Sequence, residues 1–260
     1  AASDVYKRQL LKFNFGDDPD EQRALDASLN YGANATDNPA SPFYIAKGLF
    51  GGYTASYTRN DHFLHTYLYT NSQLRDTWEY ELDLTDKQIR FLIAHSWEML
   101  AAEFRYYFFN DNCAHRIAEL VEVTTGRDLS DTHGFWLLPT QVVRNLRTDN
   151  DSEPFVRRET YNPSLKSTFA ARFAAADASQ QARFVEFFGL SNPEKALAVR
   201  NADAELLQLM LDYLDLEVAK QTLFTEDEAS LQSLQGQRVI VLREMFRRPA
   251  PAVDLSLIHI

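Results

Sequence analysis

The sequence contains very little of several residue types. It has one cysteine, nine glycines and nine prolines in 260 residues. A single cysteine excludes an internal disulfide, and no paired Cys/His spacing typical of zinc sites occurs. The G-x-S-x-G, glycine-rich phosphate-loop and H-E-x-x-H motifs are absent, and no apolar run reaches the ~18 residues that span a bilayer. We therefore expect no metal ion and no cofactor.

Basic residues are also scarce relative to acidic ones. Lys and Arg number 26 against 37 Asp and Glu, which gives a formal net charge of −11. Such an acidic chain without a Lys/Arg-rich run argues against a nucleic-acid partner. In contrast, 45% of the residues are hydrophobic and 13% are aromatic, which is enough for a substantial core.

The two ends of the chain resemble translated adapter DNA. Leu255–Ile260 can be encoded by DNA whose reverse complement encodes Asp4–Gln9, as expected for complementary tags added during library preparation. We expect residues 1–9 and 255–260 to be such tags, and we set them aside in predicting the fold. The natural protein would then extend beyond both ends, and any signal region would lie outside this sequence.

The residue pattern predicts an α+β fold: an antiparallel sheet with packed helices, followed by an all-helical region. A polar segment, Asp20–Asn38, predicts a long irregular connection. Thr85 and Gln88 have the spacing of a capping box, which predicts a helix over about 86–103. Apolar residues mark one face of that helix: Ile89, Leu92, Ile93, Trp97, Leu100 and Phe104. Four segments have strand character, and the last three suggest a meander: Leu10–Phe15, Tyr53–Thr58, Phe63–Thr70 and Thr77–Leu84.

A polar, proline-bearing stretch at Asn150–Pro163 suggests a domain boundary. We predict one domain over 10–150 and a helical region over 151–254. A short helix over Gln141–Leu146 is expected before the boundary. Beyond it, helical patterns cover Ser167–Ala176, Ser179–Phe188, a capped segment from Ser191, about Ala202–Lys220, and a last helix opening at Thr225–Glu228.

The lone cysteine lies where a thiol is chemically useful. Aromatic residues over Tyr106–Phe109 predict a strand, Asn110–Asn112 breaks it, and a helical pattern runs from Cys113 to a stop at Gly126. Unpaired N–H groups and the helix dipole at a helix N-terminus favour a thiolate, which is the nucleophilic form. The alternative is that Cys113 is a small buried hydrophobe without reactivity.

A thiol enzyme needs a base near the sulfur, usually histidine. Leaving aside the tag, the candidates in the chain are His62, His65, His95, His115 and His133. His115 is two residues after Cys113, so the two side chains diverge on a helix. His95 falls off the apolar face of its helix and is expected in solvent. The sequence favours none of the five.

Four segments together resemble the Lnb N-terminal periplasmic domain family of bacteria, over roughly Leu10–Arg147. They are Gly48-Leu49-Phe50-Gly51-Gly52-Tyr53, Arg75-Asp76-x-Trp78-Glu79-Tyr80-x-Leu82, Tyr106-Tyr107-Phe108-Phe109-x-Asp111-Asn112-Cys113, and Leu138-Pro139. The family is similar to circularly permuted papain-like thiol enzymes, and some members are lipoprotein N-acyltransferases. In the family a Gly-His pair precedes the first strand, whereas this sequence has Tyr6–Gln9 there. The resemblance thus implies that the general base is missing upstream of Leu10.

The resemblance implies a periplasmic or cell-envelope acyltransferase or acyl hydrolase that acts through a cysteine thioester on a lipid or lipoprotein. Cys113 would be the nucleophile and Asn112 would help to stabilise the oxyanion, while Arg75, Glu79 and Tyr107 are candidates for structural roles or for binding substrate. The missing flanks could bring the protein close to a membrane. Two alternatives remain open: a cell-wall peptide amidase or peptidase, and a non-catalytic envelope binding module.

Overall fold

The computed structural model describes residues 10–13, 26–34, 41–108, 112–130, 139–147, 155–224 and 227–248. The chain groups into two compact units. The first comprises residues 1–65 and 79–160, and the second comprises residues 66–78 and 161–260. The predicted tags and His133 lie outside the described residues.

A four-stranded antiparallel sheet forms the centre of the first unit. Its strands are β1 (Leu10–Phe13), β2 (Ala27–Ala33), β3 (Tyr53–Asp61) and β5 (Glu103–Tyr106), in the order β1-β2-β3-β5. Alternate residues at the start of β3 are buried, which is the period of a sheet with one face on a core, whereas β2 also buries Ser28 between Ala27 and Leu29. That buried face carries Leu29, Tyr31, Tyr53, Ala55 and Tyr57.

Helix α4 (Cys113–Thr125) packs between this sheet and a second apolar layer. Cys113, Ile117 and Leu120 join the core formed by the sheet. Ala114, Ala118 and Val121 face a separate cluster that contains Leu129, Val142 and Phe155. Two apolar faces at helical spacing therefore bury α4 on both sides.

The remaining elements of the first unit surround this core. They include α1 (Pro42–Leu49), α3 (Asp86–Met99) and α5 (Pro139–Arg147). The division of the chain falls within α2 (His62–Tyr67), after His65. Two further strands, β4 (Thr77–Leu82) and β6 (Val156–Asn162), form a two-stranded sheet, and the division of the chain passes through both. Arg147 forms an ion pair with Glu159 of β6.

The second unit is mainly helical, as the pattern predicts. It contains α6 (Leu165–Ala175), α7 (Ala178–Gly189), α8 (Asn192–Asn201), α9 (Ala204–Phe224) and α10 (Glu228–Arg247), together with a π-helical turn at Leu68–Ser72. Phe184, Phe187, Leu207 and Leu214 are buried in its core. The capping box predicted at Ser191 is confirmed.

Most of the predicted elements around Cys113 are confirmed. The capping box of Thr85 and Gln88 opens α3, α4 begins at Cys113, and Gly126 ends α4 with a left-handed φ of 74°. The predicted short helix is also present, as α5. The aromatic strand ends at Tyr106, so Tyr107 and Phe108 follow it rather than belong to it.

Three predictions about the first unit are wrong. The segment expected to be irregular contains β2, whose Ala27, Leu29 and Tyr31 alternate inward. Phe63–Thr70, expected to be a strand, forms α2 and part of the π-helical turn. The meander is therefore absent from the described residues, where β3 pairs with β2 and β5 and where β4 pairs with β6.

The apolar face predicted for α3 is only partly buried. Leu92 is 4% exposed, whereas Trp97 is 69% exposed. Ile89 and Ile93 are also exposed. The helix therefore contacts the core through a narrower stripe than the sequence pattern suggests.

Candidate thiol site at the start of helix α4

Cys113 is the first residue of α4, and Asn112 is its N-cap. The Oδ1 atom of Asn112 accepts hydrogen bonds from the N–H groups of Ala114 (2.9 Å) and His115 (3.1 Å). An asparagine in this position satisfies donors that otherwise have no partner at a helix start. The sequence therefore fixes the helix start at Asn112, which places the thiol in the first turn.

The thiol is enclosed by apolar and aromatic side chains. Cys113 is 6% exposed and Asn112 is 7% exposed. The surrounding cluster includes Tyr31, Tyr53 and Tyr106 from three neighbouring strands. Because Cys113 is buried, a reagent or substrate must pass between these side chains to reach its sulfur atom.

Tyr57 attaches the sheet to the first turns of α4. Its hydroxyl group donates a hydrogen bond of 2.9 Å to the carbonyl oxygen of Arg116. Burial raises the pKa of Tyr57, although the nearby Arg116 guanidinium opposes this effect. The hydroxyl group is therefore neutral and acts as a donor. Neither the motifs nor the periodicity of the sequence indicated this contact.

The glycines of the Gly48–Tyr53 segment make room for the rings of Tyr107 and Phe108, which precede Asn112 in the sequence. A Cβ atom at Gly48 would collide with the ring of Phe108, and one at Gly51 would collide with the ring of Tyr107. Gly51 also has a φ of 70°, which side chains disfavour. The N–H group of Phe108 donates to the carbonyl oxygen of Gly48 at 2.9 Å. The segment thus holds the chain that leads into Asn112.

Tyr107 and Asn112 therefore both have structural contacts. The ring of Tyr107 lies against Gly51, and the Nδ2 atom of Asn112 donates to the carbonyl oxygen of Phe108 at 3.4 Å. Because Asn112 Oδ1 already accepts from the N–H groups of Ala114 and His115, an oxyanion at Cys113 would have to compete with the cap for these two donors. The oxyanion role remains a prediction.

Glu79 lies in a different polar cluster of the first unit. Its carboxylate is 3.3 Å from His62 Nε2 and 3.6 Å from Lys12 Nζ. Lys12 Nζ is also 3.7 Å from the buried carboxylate of Asp26. The backbone N–H group of His62 donates a hydrogen bond to the backbone carbonyl oxygen of Asp26. This cluster lies at the Asp61 end of β3, whereas Tyr106, which precedes the Cys113 loop, pairs with Tyr53 at the other end.

Arg75 belongs to the second unit, where its N–H group donates to the carbonyl oxygen of Tyr69. The neighbouring Asp76 accepts hydrogen bonds from Ser164 N–H (2.8 Å) and Ser167 Oγ (3.0 Å) at the start of α6. Burial acts to raise the pKa of Asp76, but these hydrogen bonds outweigh it and lower the pKa below its ordinary value. Asp76 therefore has a clear structural role within the second unit.

The other histidines have polar neighbours of their own. His65 Nε2 is 3.4 Å from Asn60 Nδ2. His95 and His115 lie 3.6 Å and 3.7 Å from the carboxylates of Glu98 and Glu119, respectively. Among the described residues, no group of three or more His, Cys, Asp or Glu side chains could hold a metal ion. No described helix is long and apolar enough to cross a membrane.

Taken together, the first unit is an α+β domain with a buried thiol at the start of its central helix. The chain matches the model of the Lnb N-terminal periplasmic domain over residues 5–148, which is more than half of its length, and it belongs to that family. The match includes residues 5–9, whose origin in adapter DNA remains a prediction. Comparisons with curated proteins and with solved structures gave no significant match.

Proposed function

We propose that this chain is part of a cell-envelope thiol acyltransferase or acyl hydrolase with Cys113 as the nucleophile. The main support is the position of Cys113 as the first residue of α4, behind the Asn112 cap and against the sheet. Membership of a periplasmic domain family is consistent with a substrate in the cell envelope. The resemblance to permuted papain-like enzymes supports the same chemistry.

The proposed reaction has two steps. The Cys113 sulfur attacks the carbonyl carbon of a lipid ester, the S–C bond forms, and the C–O bond breaks as the alcohol leaves with a proton. An amine such as a lipoprotein N-terminus, or water, then attacks the thioester carbonyl. The new N–C or O–C bond forms, the S–C bond breaks, and the thiol is regenerated. Dividing acyl transfer in this way lowers each barrier.

The pairing of β1 with β2 suggests where a base would act. Leu11 pairs with Leu29, and Leu10 pairs with Asn30. Residues paired directly in antiparallel strands point to the same face of the sheet. Leu11 also packs against the core that contains Cys113, so β1 borders that core. The resemblance implies a histidine just before this strand, at the place occupied by Tyr6–Gln9.

The test is to introduce a histidine at that position. Gln9→His introduces an imidazole at the residue directly before Leu10, and Arg8→His introduces one a residue earlier. Iodoacetamide labelling of Cys113 at neutral pH, followed by intact mass, should be faster in Gln9→His than in the urea-unfolded chain, by about tenfold or more. Arg8→His tests the neighbouring position in the same assay.

Equal rates in Gln9→His, Arg8→His and the parent, all at or below the unfolded rate, would contradict the proposal. That result favours a binding module with an inert buried cysteine. If Gln9→His is activated, the substrate class follows from incubating it with a diacylated lipopeptide or with a muropeptide. Acyl exchange on the lipopeptide supports the acyltransferase, and cleavage of the muropeptide alone supports a cell-wall amidase or peptidase.

A further inference from the structure

Helix α1 and its C-cap residue Phe50 are apolar on nearly every side. Tyr44 and Gly48, one turn apart, are its least exposed residues, and Tyr44 contacts the rings of Tyr53 and Phe108. Lys47 also contacts the unit, with its Nζ atom 5.6 Å from the centroid of the Tyr53 ring. Phe43 is 78% exposed and Phe50 is 81% exposed. Seven residues of the segment are exposed, and Lys47 is the only polar one among them: Pro42, Phe43, Ile45, Ala46, Lys47, Leu49 and Phe50.

A helix that is hydrophobic all round is normally buried in protein or in lipid. With eight residues, α1 is about 12 Å long, too short to cross a bilayer. Helices that lie in the membrane interface instead bury an apolar face of Phe and Leu beside basic residues. The α1 patch, defined as Phe43, Ile45, Leu49 and Phe50 with Lys47, has this composition.

The charge around the α1 patch also fits a phospholipid surface. The chain has 37 acidic residues, yet residues 38–60 contain none and include Lys47 and Arg59. A protein of net charge −11 is repelled by lipid phosphates unless the face that touches them has no carboxylates. The exposed residues of α1 and Phe50 carry no carboxylate, and Lys47 is the one charged side chain among them.

A second copy of the chain fits the α1 patch less well. A stable dimer uses about 20–30 residues on each side, whereas this segment exposes seven. A bilayer requires no matching surface, because lipid chains adapt to any apolar shape. The small size and the high apolar content of the patch therefore favour lipid.

We propose that α1 docks this domain on a phospholipid bilayer, with Phe43 and Phe50 in the boundary between headgroups and acyl chains. The helix is joined to the thiol site through Phe108, whose N–H group donates to Gly48 and whose carbonyl oxygen accepts from Asn112. Docking would present lipid esters near Cys113, and in that step the inference rests on the proposed function. Binding itself does not depend on the thiol.

The test is co-flotation of the full chain with phosphatidylcholine vesicles. The parent chain and Cys113→Ala should bind equally. Phe43→Ser and Phe50→Ser should each lower the partition coefficient about tenfold, since each removes one aromatic ring that the bilayer would bury. Lys47→Glu should weaken binding further as phosphatidylglycerol is added. Both phenylalanines are largely exposed, so circular dichroism should show an unchanged fold.

The matched control is Phe91→Ser, the same change at an exposed position of α3 in the same unit. It should leave vesicle binding unchanged. Three results would overturn the proposal: a parent chain that does not float with vesicles, equal loss in Phe91→Ser and Phe43→Ser, or a parent dimer in light scattering that Phe43→Ser dissociates. Gln9→His that floats with vesicles but shows no acyl transfer would instead count against the proposed function alone.

Discussion

Replacing Gly48 by alanine tests the packing between α1 and Phe108, which precedes Asn112 and Cys113 in the sequence. Gly48 lies inside a helix, where alanine is favoured over glycine by at most about 1 kcal/mol. The added methyl group, however, would overlap the ring of Phe108. That ring is held by Tyr44 and Tyr106, at centroid distances of 5.3 Å and 6.0 Å, and by its own N–H bond to Gly48.

The two effects oppose each other, and their sizes decide the sign. Overpacking a fixed core position costs about 1–3 kcal/mol, which exceeds the helix preference. We expect Gly48→Ala to lower the free energy of unfolding by about 1–2 kcal/mol. Gly236→Ala in α10 is the matched control, because a Cβ atom there meets nothing within 4 Å. It should raise the free energy of unfolding by about 0.5–1 kcal/mol.

Urea unfolding followed by far-ultraviolet circular dichroism measures both changes. Hydrogen exchange with mass spectrometry then assigns the loss in Gly48→Ala to peptides covering α1 and residues 103–108. The double variant Gly48→Ala/Phe108→Leu replaces the ring by a smaller side chain. It should recover part of the unfolding free energy that Gly48→Ala loses. The reasoning is refuted if Gly48→Ala is as stable as Gly236→Ala.

Three further predictions concern caps, turns and pH. Asn112→Ala should destabilise α4 by about 1–2 kcal/mol in urea unfolding, because the Ala114 and His115 N–H groups lose their acceptor, whereas Asn112→Asp should keep most of the stability; equal losses would contradict the capping role. Gly51→Ala should cost more in thermal unfolding than Gly126→Ala, since both have a positive φ but only Gly51 has a ring in the way; a larger loss at Gly126 would argue against the Tyr107 contact. Because hydrogen bonds lower the pKa of Asp76 in the folded state, its contribution is present above the unfolded pKa of about 3.9 and is lost as pH falls through the folded value. Asp76→Asn should therefore flatten the acid limb of the stability profile of the second unit, and an unchanged profile would count against these bonds.

Local signals in the sequence were sufficient for the ends of α3 and α4 that the sequence predicted. The spacing of Thr85 and Gln88, the Asn112 cap and the glycine after α4 each act within a few residues, so the sequence alone predicted where α3 and α4 begin and where α4 ends. The position of the thiol at a helix start followed from the same local evidence.

The sheet was harder to predict because its strands are defined by partners distant in sequence. The Asn-Tyr-Gly of β2 resembles a turn, but pairing of Tyr31 with Tyr57 makes it a central strand. Phe63–Thr70 is rich in residues that favour strands, yet its buried positions include His65 and Tyr69, which are four residues apart as in a helix. In both segments tertiary packing outweighs local propensity.

The surroundings of the candidate site were predicted only in part. The sequence indicated Cys113 and Asn112, but it did not indicate that Gly48 and Gly51 make room for aromatic rings or that Tyr57 bonds to α4. Nor did the sequence indicate the contacts that Glu79 makes with His62 and Lys12, since those contacts join residues distant in sequence. The roles of Glu79 and Arg75 in binding substrate stay predictions.

The most direct test of the proposed function is to look for an acyl group on Cys113. Gln9→His should be mixed with a short-chain p-nitrophenyl ester and quenched within one turnover, and its intact mass should then be measured. The account predicts a mass increase of one acyl group, mapped to Cys113 by peptide analysis, lost in Gln9→His/Cys113→Ala and discharged by an added amine. An unmodified thiol in Gln9→His, or an adduct that persists when Cys113 is replaced, would contradict it.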